Sequence, residues 1–137
     1  MSIISKHRVL IIEDNADAND SLAILLEMLG LSVAQALDGP SALKLASEFD
    51  PQVVLCDVGL PGMDGYEVAR ALRVLYAGRP LVIAALTGYS DIEDQPDSVG
   101  TLFDRHFTKP IGHEQLEFFF ASFMQGGETP QIQRASR

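Results

Sequence analysis

Apolar residues fall in short dense runs, with longer stretches of helical spacing between them. The runs cover residues 9–12, 53–55 and 81–86, and a weaker one covers 31–36. So few polar positions inside each run predict strands buried on both faces, as in a parallel sheet. Between the runs the apolar spacing changes to threes and fours. Leu22, Leu25, Leu26 and Leu29 form one stripe, and Gly30 stands where a helix would stop. Asp38-Gly39-Pro40 predicts a turn into a second helix, with Pro40 at its first position and Ala42, Leu45, Ala46 and Phe49 facing inward. Asp64 is placed to cap a third helix whose inner face holds Val68, Ala69, Leu72 and Leu75. Residues 103–107 form a candidate fifth strand, and Leu116, Phe119, Phe120 and Phe123 mark a last helix. This alternation predicts βαβ units, hence an α/β fold with a doubly wound parallel sheet and helices on both faces.

Two segments break the pattern. Between the fourth and fifth strands, residues 89–100 read YSDIEDQPDSVG, with Pro96 in the middle. A proline inside a helix costs about 3 kcal/mol, so any helix here is expected to be short, bent or displaced. Residues 125–137 lack apolar periodicity and are expected to form a flexible tail or linker stub behind a single domain spanning 7–124.

Composition narrows the function. Hydrophobic residues make up 47% and charged residues 21% of the chain, an ordinary globular balance. No run reaches the roughly 18 apolar residues that a membrane helix needs, and the N-terminus shows no secretory signal, so no membrane insertion is expected. Cys56 is the only cysteine, which fits a reducing, cytoplasmic setting. The net charge of −9 repels phosphate backbones, so no direct nucleic acid binding is expected.

Ligands of open parallel sheets bind beyond the carboxyl ends of the strands. Read together, those ends hold Glu13 and Asp14, then Asp57, then Thr87, then Lys109. Asp14 alone would serve equally well as a helix cap or as a metal ligand. Three clustered carboxylates repel one another, and a hard divalent cation such as magnesium relieves that repulsion through oxygen ligands. A cation and a lysine together neutralise charge on a phosphoryl group in transfer, a threonine hydroxyl can bond one of its oxygens, and a carboxylate can be the nucleophile.

The residues Ile12-Glu13-Asp14-Asn15, the run from Asp57 to Gly65 (DVGLPGMDG), Leu86-Thr87-Gly88 and Thr108-Lys109-Pro110 occur in that order. Together they resemble the response-regulator receiver domains of bacterial two-component systems, over about residues 7–124. The resemblance implies a flavodoxin-like sheet of five strands in the order 2-1-3-4-5. It implies a magnesium-dependent transfer of a phosphoryl group to Asp57 from a histidine kinase or phosphotransfer protein. Asp14, Asp57 and the backbone carbonyl of Gly59 would hold the metal, and Glu13 would act through a metal-bound water. Lys109 would pair with the carboxylates before transfer and with the phosphoryl group after it. Thr87 would couple phosphorylation to shape, and a cis peptide bond is expected before Pro110. The stretches GLPGMDGYEVARALR and FDRHFTKPI are most similar to receivers of hybrid kinases, so the chain is read as a free-standing regulator or as a hybrid-kinase receiver.

The competing class is a magnesium-dependent phosphatase with an aspartyl-phosphate intermediate. Such enzymes usually carry a second aspartate two residues after the nucleophile, where this chain has Gly59. The chain is therefore read as a signalling phosphoacceptor that catalyses only its own phosphorylation and dephosphorylation. A degenerate receiver that merely binds proteins is a third class, and the full set of site residues argues against it. His7 and His113 are expected at the surface. His106 stands where receivers often place a switching aromatic, so its role as a switch is open. Phe118 falls off the inner stripe of the last helix and is a candidate contact for self-association or partner docking.

Overall fold

A computed structural model describes residues 7–88 and 102–124, with the Met124 side chain excepted. The elements in chain order are β1 (Arg8–Ile12), α1 (Ala16–Met28), β2 (Ser32–Ala36), α2 (Gly39–Phe49) and β3 (Val53–Asp57). There follow α3 (Gly65–Leu75), β4 (Val82–Thr87), β5 (Arg105–Thr108) and α4 (His113–Met124). The strands form one parallel sheet in the order β2-β1-β3-β4-β5, as the resemblance implied.

Side chains alternate across each strand, so the apolar runs feed two cores. Leu10, Ile12, Val54, Cys56, Ile83 and Ala85 face Ala42 and Ala46 of α2 and Val68 and Leu72 of α3. Val9, Ile11, Val53, Leu55, Ala84 and Leu86 face Ala23 and Leu26 of α1 and Leu116, Phe119 and Phe120 of α4. Burial on both sides is the reason the runs carry no polar alternation.

Local chemistry sets the helix ends. The Asn15 side chain accepts from Ala18 N at 2.9 Å and starts α1. Gly30, at φ +93°, follows its end in the left-handed region that glycine adopts without strain. Asp38 caps α2, with Pro40 in its first turn. Asp64 accepts from Glu67 N while the Glu67 carboxylate accepts from Asp64 N, each at 3.0 Å, a reciprocal capping box at the start of α3.

Three readings shift. The fifth strand begins at Arg105 and not at Phe103, which is buried in the core under α2 and α3. Asp104 explains the late start. Its amide donates to the Ile83 carbonyl at 2.7 Å while its carboxylate accepts from Ile83 N at 2.9 Å. Leu75 is exposed, and Tyr76, four residues after Leu72, takes the inward place. In α1, Leu22, Leu25 and Leu29 are only partly buried, while Ala23 and Leu26 are buried. The distorted helix expected within residues 89–100 and the tail at 125–137 lie outside the described residues. Among the described residues no helix is long and apolar enough to cross a membrane.

Candidate functional site

The carboxyl ends of β1, β3, β4 and β5 supply the site. Glu13 and Asp14 follow β1, and the Glu13 amide makes a last bond to the Ala36 carbonyl beyond the β1–β2 ladder at 3.1 Å. Asp57 closes β3. Glu13 and Asp57 are buried, Asp14 is exposed, and an oxygen from each of the three carboxylates lies within 4.8 Å of the others. Among the described residues this is the group with the makings of a metal site.

Lys109 reaches into the cluster from the end of β5. Its Nζ is 2.9 Å from Asp57 Oδ2 and 3.0 Å from Glu13 Oε1. Its amide donates to the Thr87 carbonyl at 2.7 Å, which fixes where the side chain begins. The peptide bond that follows, Lys109-Pro110, is cis. Partial burial acts to lower the Lys109 pKa, but hydrogen bonds and charge from Asp57 and Glu13 prevail and raise it above its ordinary value. Two carboxylates thus face one ammonium, with the Asp14 carboxylate beside them, and these three oxygen donors are a set that fits a hard cation such as magnesium.

The remaining Asp57 oxygen, Oδ1, accepts from Gly59 N at 2.9 Å, and Glu13 Oε2 accepts from Asn15 N at 3.0 Å. Gly65 lets the loop after β3 close over Asp57. A Cβ there would stand 2.5 Å from the Asp57 carbonyl oxygen and 2.5 Å from Val58 Cα, so only glycine fits without displacement. Thr87 is fully buried at the same rim, its hydroxyl 3.5 Å from the Phe107 carbonyl, at the long limit of a hydrogen bond.

All of the expected residues therefore stand at one end of the sheet, with Glu13, Asp14, Asp57 and Lys109 drawn into one cluster. The side chain of Thr87 is the least engaged with it. The structure also adds Asn19, whose buried amide donates to the carbonyls of Glu13 and Ala36 at 3.1 and 3.0 Å. The one sign of it in the sequence is a polar residue on the helical spacing of Ala23 and Leu26. An apolar groove of about 570 Å³ runs from Glu13 and Lys109 along Leu22, Leu25, Pro110 and Ile111.

The histidines stand apart from this cluster. His106 is exposed on β5, with its ring edge against Phe103 at 5.9 Å, and desolvation lowers its pKa. His7 packs against Phe123 at 5.2 Å, and His113 lies 3.7 Å from Glu117 on the surface of α4. Cys56 is a buried core residue whose thiol burial holds well above the ordinary range.

Residues 9–118 match the family model described as response regulator receiver domain. The cell cycle response regulator CtrA of Brucella ovis is 34% identical over 109 residues, which are 80% of this chain and 46% of that protein, so the chain spans less than half of CtrA. The structure of a CheY-like response regulator receiver domain from Methylobacillus flagellatus is 30% identical, with a TM-score of 0.78, and the match covers 86% of this chain and 98% of that one. A co-crystal structure of the Saccharomyces cerevisiae phosphotransfer protein Ypd1 with the receiver domain of its response regulator Ssk1 matches at 25% identity and a TM-score of 0.72, covering 84% of this chain and 86% of that one.

Proposed function

Because the chain belongs to the response regulator receiver domain family and so serves two-component signalling, we propose that Asp57 is its phosphoacceptor. The observation that carries this reading is the Lys109 ammonium bridging Asp57 and Glu13, with Asp14 beside them. An Asp57 carboxylate oxygen attacks the phosphorus of the donor and forms an acyl phosphate as the bond from phosphorus to the donor nitrogen or oxygen breaks. Lys109 then exchanges its Asp57 contact for a phosphoryl oxygen. The Gly59 amide holds Asp57 Oδ1 and keeps the carboxylate oriented. Thr87 turns its hydroxyl from Phe107 towards the new phosphoryl group and so carries the signal.

Asp14, Asp57 and the Gly59 carbonyl would hold magnesium, with Glu13 acting through a water. When bound, the ion supplies positive charge to the phosphoryl oxygens. Gly59, in the place where an aspartyl phosphatase would carry its acid-base aspartate, supports a switch in preference to an enzyme that turns over.

The donor is a cytoplasmic histidine kinase or phosphotransfer protein. The Ssk1 receiver offers a parallel, because its co-crystal partner Ypd1 is a phosphotransfer protein. The apolar groove that begins at Lys109 supports docking of an apolar donor surface next to the phosphoacceptor. The receiver spans 7–124, with a tail or linker at 125–137, and acts without binding nucleic acid itself. Exposed Phe118 supports self-association through α4.

The test uses acetyl phosphate as donor. Wild type is expected to gain one phosphoryl group only with magnesium, and Asp57→Asn none. Labelling that persists in Asp57→Asn, or that is equal in chelator, overturns the assignment.

A further inference from the structure

We infer that Asn19 is a positioning residue for the acidic cluster: its buried amide fixes the backbone from which Glu13 and Asp14 project, and so sets how well the site holds a divalent cation. The inference rests on the metal reading proposed above and extends it to a residue that touches none of the carboxylate oxygens.

Asn19 lies in the interior of α1, on its inward face, and is completely buried. An asparagine amide has two N–H donors and one carbonyl acceptor. Here Nδ2 reaches two carbonyls, Glu13 O at 3.1 Å and Ala36 O at 3.0 Å, and Oδ1 accepts from Gln35 Nε2 at 2.9 Å. Gln35 also donates to Asp20 Oδ1 at 2.8 Å, which fixes its own side chain. The two carbonyls sit where β1 and β2 stop pairing and the chain turns from β1 towards α1. The Glu13 amide is already held by Ala36 O at 3.1 Å. With Asn19 on its carbonyl, Glu13 is pinned on both sides. Its carboxylate then meets the Asn15 amide at 3.0 Å and Lys109 at 3.0 Å.

Groups that orient metal ligands without touching the metal typically account for about 10- to 100-fold in metal affinity. Asn19→Ala removes both donors and frees the turn. The expected result is magnesium affinity weakened by about tenfold, read by amide shifts at Asp14, Asp57 and Gly59. In metal-free protein, the Asn15 amide is expected to exchange with solvent faster, because its acceptor Glu13 Oε2 wanders. Gln35→Ala, at an exposed position, is expected to move both readouts in the same direction by less. Leu72→Ala, in the core on the opposite face of the sheet, serves as the control. It lowers stability and is expected to leave both readouts at wild-type values.

Wild-type affinity in a folded Asn19→Ala protein overturns the inference, as does an equal loss in Leu72→Ala. If the wild type itself takes up no magnesium, the metal reading falls, and Asn15 exchange in metal-free protein then decides the Asn19 inference by itself. Faster exchange in Asn19→Ala than in Leu72→Ala upholds the pinning, and equal exchange overturns it.

Discussion

Lys109 is held by two acidic partners, and its raised pKa ties the charge of the site to the stability of the fold. A lysine whose pKa rises on folding contributes stability that is complete below its unfolded value, near 10.5, and is lost as pH climbs through the folded value. Tyr76 acts in the same direction. Burial first, then its 2.9 Å hydrogen bond to Asp50, push its pKa from 10.0 up to about 12, so its contribution fades across that interval. Denaturant unfolding is therefore expected to show stability falling above about pH 10. The loss should flatten in part in Lys109→Met and in part in Tyr76→Phe, and a profile unchanged in both would refute the linkage. The acidic residues and Lys109 were legible because each directly follows, or closes, a predicted strand, and a parallel sheet gathers such ends. Asn19 was not legible in that way. A helix tolerates a buried amide only if specific carbonyls meet it, and those belong to Glu13 and to Ala36 on another strand. No local spacing reports that meeting.

At the level of elements, the turn and cap chemistry was readable because it is local. Asp64→Ala removes half of the reciprocal cap on α3 and is expected to cost about 1 kcal/mol, measured by urea unfolding. Where a choice depends on distant packing, local spacing does not decide it. Leu75 and Tyr76 both lie near the inner edge of α3, and the phenol prevails because its hydroxyl finds Asp50 across the core. The fifth strand starts late because Asp104, just before it, bonds twice to Ile83 of β4, 21 residues earlier in the chain. The partly buried leucines of α1 carry a functional expectation. Leu25 lines the groove beside Lys109, so Leu25→Asp should slow phosphotransfer from a cognate kinase by about tenfold, equivalent to roughly 1.4 kcal/mol of docking. Labelling by acetyl phosphate, which needs no docking surface, should be unchanged. Equal slowing with both donors would show that Leu25 serves the site and not the docking.

For the whole molecule, the sequence made the class and the layering plain, since apolar runs without alternation require cover on both faces. The strand order came from the resemblance, because alternation alone fits several orders. Phe118 stands 68% exposed on α4, opposite the face that meets the sheet. Sedimentation of wild type and Phe118→Ser, each with and without a phosphoryl mimic, is expected to show weaker self-association in the variant, and identical masses would remove Phe118 from any interface. The same helix has a second consequence, for the chain as it is made. Synthesis produces β1, β3 and β4 before α4, yet Val9, Ile11, Leu55 and Leu86 share one core with Leu116, Phe119 and Phe120 as well as with Ala23 and Leu26 of α1. That side of the nascent sheet therefore has only α1 as cover until α4 has left the ribosome, and during that interval chaperones are the natural cover for the rest.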